Sequence, residues 1–242
     1  MMTLPTNSKQ LERHHWQPDP VNQRVVENLA LDKKVIVEIG PGHCPFAFAT
    51  EFIDWQPRPH LEGKPVHHLD LNSEPLPYAD QSVDFIYCRH VLEDMYNPMW
   101  LCTEINRVAK AGYIETPSPI AECCRHIDGG SPDFRGYIHH RYLVWTDGDA
   151  LSFLPKYPVI EYLDFGEDEA FLVKTLNTGP LHWNTYFAWT DQFTTRLYQH
   201  DRDFKVQVNY DALIAEAIET SYLENLTWAN QYNIPMANMS NQ

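Results

Sequence analysis

Apolar residues fall along this chain in two rhythms. Val35-Ile36-Val37-Glu38-Ile39 is an almost unbroken β-branched run, the pattern of a strand buried on both faces. It ends at Gly40-Pro41-Gly42, where glycine permits backbone angles closed to other residues. Before it, Val25, Val26, Leu29 and Ala30 recur at helical spacing and predict a helix over 21–31. Further short strands are read at 49–53, 66–71, 83–88 and 112–116, and a helix over 99–109, opened by Asn97-Pro98 and stopped at Gly112. Past Pro119 the rhythm loosens. The pattern there predicts a helix over 147–154, strands over 159–163, 183–189 and 204–208, and a firm helix over 211–225 with Leu213, Ile214, Ala217, Ile218 and Tyr222 on one stripe.

Strands alternating with helices predict an α/β fold: a doubly wound, mostly parallel sheet with helices on both faces. Such sheets bind ligands at the carboxyl ends of their strands. The chain of 242 residues is expected to form a single domain, 1–242, with an N-terminal arm and helix (1–33), a regular core (34–117), an insertion (118–146) and a looser C-terminal part (147–242).

Composition narrows the partners. Eighteen Lys and Arg stand against 33 Asp and Glu, a formal charge of −15 with no basic stripe, so nucleic acid is disfavoured. No apolar run approaches the ~18–20 residues of a membrane span, and Met1 to His15 lacks the apolar stretch of a signal peptide. A cytoplasmic chain with no membrane partner is expected. Five cysteines without a CxxC pair imply reduced thiols rather than a disulfide framework. The histidine doublets His14-His15, His67-His68 and His139-His140 invite a metal reading, but neighbours in a strand point to opposite faces, so no metal site is expected.

Chemistry concentrates at the predicted strand ends. The turn Gly40-Pro41-Gly42-His43-Cys44-Pro45 lacks the third glycine of a dinucleotide fingerprint, which disfavours nicotinamide or flavin. Three carboxylates, Glu38, Asp54 and Asp70, fall where a ribose or an adenine amine could be met. Two of them have a structural alternative: Glu38 as a strand-end charge, Asp70 as a loop cap. Asp84 reads as structural, holding the turn into its strand.

Leu76-Pro77-Tyr78, Ser82-Val83-Asp84 and Val91-Leu92-Glu93-Asp94, closed by Pro98, together resemble the class I S-adenosylmethionine-dependent methyltransferases over about residues 35–118. The GPGHCPF to FID stretch resembles a compact subgroup that shortens the first crossover. The resemblance implies a Rossmann-like sheet of seven strands and S-adenosyl-L-methionine as cofactor. It would be held by Glu38, Gly40 and Gly42 at its methionine end and by Asp54 at the ribose. Asp70 with Leu71 would meet the adenine, and Cys88 with Arg89 would form the far wall. The sequence departs from that pattern in three places. Only 14 residues separate Gly40 from Asp54, Asp94 stands where a histidine is common, and Lys110-Ala111-Gly112 replaces a proline and double glycine.

Methyl transfer to a hydroxyl asks for a nearby base, for which His90, His139 and His140 are candidates. The insertion 118–146 carries Arg125, His126, Arg135, His139, His140 and Arg141 in an acidic protein. It is expected either to be a lid over a small-molecule or saccharide-like acceptor or to be fastened to the core by those cations. The expected function is methyl transfer to such an acceptor, on oxygen. The alternative is a non-catalytic module binding S-adenosylmethionine or S-adenosylhomocysteine.

Overall fold

The computed structural model describes residues 17–58, 61, 63–165, 168–198 and 210–235. The expected strand at 204–208 and the doublet His14-His15 lie outside them. Helix α1, Pro20–Ala30, opens on Asp19, whose side chain accepts from the Val21 and Asn22 amides, with proline at the first position where no amide is needed. Strands β1 (Ile36–Ile39), β2 (Glu51–Ile53), β3 (Val66–His67) and β4 (Phe85–Arg89) follow. Helix α2, Pro98–Val108, begins the same way, with Asn97 accepting from the Trp100 amide. Strand β5, Ala111–Pro117, is buried along its whole length.

These strands build a six-stranded sheet with spatial order β3-β2-β1-β4-β5, extended at the β5 edge by β8 (Asn184–Thr190). The first five are parallel and β8 is antiparallel to β5. The α/β class is as expected, but six strands replace the expected seven. Strands β6 (Tyr142–Asp147) and β7 (Ala150–Pro155) form an antiparallel hairpin instead, and with β9 (Thr194–Leu197) they make a separate three-stranded sheet. The helix expected over 147–154 is therefore a correction: Gly148 turns the chain and both flanks are strand. The strand expected over 159–163 is a 3-10 helix, Pro158–Tyr162, because Pro158 sets its first turn. The periodicity also missed helix α4, Asp168–Asn177, which follows the short α3, Pro119–Cys123. The last helix, α5, runs over Tyr210–Gln231 and contains the predicted stripe.

Helices α1 and α5 cover one face of the large sheet, where Val26, Ala30 and Trp228 pack on Phe52, Phe85, Tyr87 and Tyr113. Helix α2 covers the other, with Leu101, Cys102, Ile105 and Val108 on Val37, Ile39, Ile86 and Ile114. A third apolar cluster joins α3, the small sheet and α5 around Trp145 and Trp183. Between the two helices on the first face runs a buried polar chain. Trp228 Nε1 donates to Asn22 at 2.8 Å, Asn22 Nδ2 donates to the Tyr113 hydroxyl at 2.6 Å, and that hydroxyl donates to Glu115 at 2.5 Å. Every buried polar group needs such a partner, and this chain supplies them across three elements. Among the described residues no helix is long and apolar enough to cross a membrane.

Strand order reverses between β1 and β4, and the cleft outside their carboxyl ends is where an open sheet of this kind takes its ligand. No helix separates β1 from β2. Residues 40–50 run as turns, in keeping with the short interval noted in the sequence.

Candidate functional site

Two cavities lie over that switch point. The larger, about 760 Å³, runs from the β1 turn past the ends of β2 and β3; Gly40, Gly42, Asp54, Asp70, Leu71 and His90 are among its walls. The smaller, about 460 Å³, lies between the β1 turn and the insertion, and its walls include Glu38, Arg89, Glu93, His139 and His140. Gly40, Gly42, His90 and Asp94 line both, so the two lie side by side across these residues. Of the eleven residues singled out from the sequence, ten line this cleft.

The eleventh, Cys88, is a correction. Its side chain is buried in the sheet core with Cys102, and burial raises its thiol well above the ordinary value. The far wall of the larger cavity is made instead by Val91, Met95 and Tyr96. Arg89 lies on the smaller cavity, its Nε donating to Glu115 at 2.9 Å.

Glu38 is 2% exposed, and burial lifts its carboxyl to about 8 against the pull of the Phe46 amide, which donates to it at 2.8 Å. That bond folds the β1–β2 connection back on its own strand and takes the place of a crossover helix. Asp54 is equally buried; it accepts from Arg58 Nε at 2.7 Å and from the Gln56 amide at 2.8 Å. Asp70 caps its loop, accepting from the Asn72 amide and Nδ2 and from Ser73 Oγ, and these bonds lower its carboxyl. Asp84 holds the chain as expected, accepting from the Lys34 and Val35 amides and from Lys110, which together bring it to about 2.

His90 has a left-handed backbone, φ 54°, and both ring nitrogens face carboxylates: Nδ1 lies 3.3 Å from Glu93 and Nε2 3.8 Å from Glu115. Burial, with Arg89 and His140 nearby, holds the ring neutral well below its ordinary range. Glu93, missed in reading the sequence, is 1% exposed and raised to about 8 by burial, and neither of its oxygens has a hydrogen-bond partner among the described residues. Its signal was a carboxylate inside the Val91-Leu92-Glu93 run, the same signal that marked Glu38. Trp55 was also missed. It stands on the larger cavity, 70% exposed, directly after Asp54.

The cations of the insertion divide into two groups. Arg125 and Arg135 fasten it: Arg125 donates to the Glu161 carbonyl at 2.7 Å, and Arg135 to the Cys123 carbonyl at 2.7 Å and to Glu169. His139, His140 and Arg141 lie at the cleft end. Arg141 stacks 3.6 Å over Tyr96, and its amide donates to the Glu93 carbonyl at 2.7 Å. His140 Nδ1 is 2.7 Å from buried Glu122, whose other oxygen accepts from Lys156 at 2.6 Å. Burial opposes charge on Glu122, but Lys156 and His140 outweigh it and bring the carboxyl down to about 2; in return Glu122 raises His140 against its own burial.

Residues 48–114 match the family model described as a methyltransferase domain, and the cofactor of such domains is S-adenosylmethionine. Comparison with curated proteins gives no match. Similar solved structures include the YcgJ protein from Bacillus subtilis (17% identity, 40% of this chain and 50% of that one, TM-score 0.34). A SAM-dependent methyltransferase from Aquifex aeolicus is similar at 18% identity (48% and 75%, 0.33). An S-adenosylmethionine-dependent methyltransferase from Mesorhizobium loti is similar at 13% (69% and 74%, 0.36). The chain thus spans about half the length of the first and three quarters of the other two.

Proposed function

We propose that this protein is an S-adenosylmethionine-dependent methyltransferase acting on an oxygen of a small-molecule acceptor. One observation carries the reading: a larger and a smaller cavity meet at Gly40, Gly42, His90 and Asp94, so a donor and an acceptor can face each other across the end of β1. The larger has the size of a cofactor pocket. Its charge suits a cationic sulfonium, since Asp54, Asp70, Glu74 and Asp94 line it and its one lining arginine, Arg58, is already paired to Asp54.

S-adenosylmethionine would supply an activated methyl group on a neutral leaving thioether, so the protein's share of the work is alignment. Where the smaller cavity adjoins the larger, Glu38 would meet the methionine end as a neutral hydrogen-bonding acid, with Gly40 and Gly42 giving the backbone approach. Asp54 has lone pairs left for ribose hydroxyls after its two internal bonds, and Trp55 offers an aromatic face to adenine between Asp70 and Leu71. Asp94 and His139, both exposed, line the acceptor side of the cleft. His90, its ring held neutral on the wall of both cavities, is the other candidate for that end of the cleft. Residues 118–146 act as the acceptor lid, with Arg125 and Arg135 as its fastenings.

The second lobe, adjoining the first, supports catalysis over a binding module. Calorimetry with S-adenosylhomocysteine should give a dissociation constant in the micromolar range, about −8 kcal/mol. A library of hydroxylated small molecules, screened by release of that thioether, then identifies the acceptor. No heat and no thermal shift with either form of the cofactor at millimolar concentration would overturn the reading.

A further inference from the structure

Asp94, His139 and His140 bring one carboxylate and two imidazoles together, with their ligating atoms all within 4.8 Å of one another. Nε2 of His139 lies 3.8 Å and Nε2 of His140 3.9 Å from the same Asp94 oxygen. The strand argument against a histidine doublet does not hold here, because His139 ends a turn and the chain bends between the two rings. Their centroids are 4.5 Å apart at an interplanar angle of 72°.

The group is held from behind. His140 gives its Nδ1 to buried Glu122 and turns Nε2 toward Asp94; this carboxylate–imidazole pairing is the one that orients metal-bound histidines. Lys156 ties Glu122 to the carbonyls of Arg135 and Tyr137 at 2.6–2.8 Å and so fixes the turn. Arg141 fixes the other side, its amide bonding the Glu93 carbonyl and its Nε the Asp94 carbonyl.

We propose that Asp94, His139 and His140 bind one divalent first-row transition-metal ion, with Glu122 orienting His140. An ion with bonds of about 2.0–2.2 Å sets tetrahedral ligands about 3.3–3.6 Å apart, so closure asks for roughly half an ångström at Asp94 and up to about 1.5 Å between the two imidazoles, a movement open to the exposed His139. Two imidazoles select zinc, cobalt or nickel over manganese, magnesium or calcium. The remaining coordination positions face the smaller cavity, beside Glu93, and would take an oxygen donor of the acceptor. That last point rests on the methyl-transfer reading, whereas the ion site itself does not.

The test is a titration of EDTA-dialysed full-length protein with cobalt chloride, followed by visible absorption, with zinc and magnesium as competitors and no cofactor present. The expected result is one equivalent bound in the micromolar range or tighter, displaced by zinc and not by millimolar magnesium. Asp94→Asn and His139→Gln should each weaken binding at least tenfold, while His126→Gln leaves it unchanged. Both tested side chains are exposed, and equal melting temperatures in EDTA confirm that the variants fold. Absence of a cobalt band, displacement by magnesium, or binding that survives in either variant overturns the site. A failed titration leaves cofactor binding standing, and a failure of S-adenosylhomocysteine to bind leaves the ion site standing.

Discussion

Val91 packs so closely against Gly40 that a methyl group added to the glycine would sit 2.4 Å from the valine Cγ2. The contact ties the turn after β1 to the segment after β4, the two edges of the cleft. Gly40 also has φ +69°, whereas Gly42, at φ +51°, has nothing within 4 Å of an added methyl. Gly40→Ala should therefore cost about 2–4 kcal/mol, strain plus overpacking, and Gly42→Ala about 1 kcal/mol. Urea denaturation measures both, and Gly40→Ala with Val91→Ala should recover part of the loss. Equal costs for the two single variants would remove the contact as the cause.

Glu38 and Glu93 are acids raised by burial from an ordinary 4.5 to about 8. The folded state then binds more protons than the unfolded one, so stability falls as pH rises towards 8 and levels off above it. Between about pH 5 and 8, each group contributes a slope of up to about 1.4 kcal/mol per pH unit. Glu38→Gln should flatten the stability profile over that window by one group's share. A variant with the wild-type slope would mean that Glu38 is ionised in the folded protein.

Asp54 and Asp84 make opposite predictions. Asp54 faces the larger cavity, so Asp54→Ala should weaken S-adenosylhomocysteine binding by roughly 10- to 100-fold, the cost of ligand hydroxyls left without an acceptor. Asp84 serves Lys34, Val35 and Lys110 away from the cleft, and Asp84→Ala should lower the melting temperature with affinity retained. Calorimetry and thermal melts on the same two samples decide it, and the reverse pattern would displace the ribose from β2.

His139 and His140 should separate in stability. His139 is half exposed, and His139→Gln should melt as the parent does. His140→Gln removes the imidazole from buried Glu122 and should cost about 1–3 kcal/mol. Equal melts for both would mean that Lys156 alone satisfies Glu122.

The parts legible in the sequence were those specified locally. Val35 to Ile39 could only be a buried strand, and a carboxylate inside it marked Glu38. The hairpin β6–β7 was hidden because Ala150, Leu151, Phe153 and Leu154 are spaced as either a helix stripe or a strand buried on both faces would be. Glu122 carried the same mark as Glu38, an acid inside the apolar Ile120 to Cys123, but its partners His140 and Lys156 lie 18 and 34 residues on, where no pattern pairs them. Cys88 went astray for a related reason: the resemblance placed it at a strand end, while the alternation along β4 turns its side chain into the core.

The bond from Trp228 to Asn22 joins residues 206 positions apart. During synthesis, at about 5–20 residues per second, α1 emerges on the order of 10–40 s before the helix that covers it. Through that interval Asn22 must be satisfied by water, and the apolar side of α1 has only part of its final cover. The nascent sheet can pair its parallel strands early, but its α1 face is sealed last. A chain halted before α5 should then be a substrate for chaperones, with Val26 and Ala30 inside the segment they would hold.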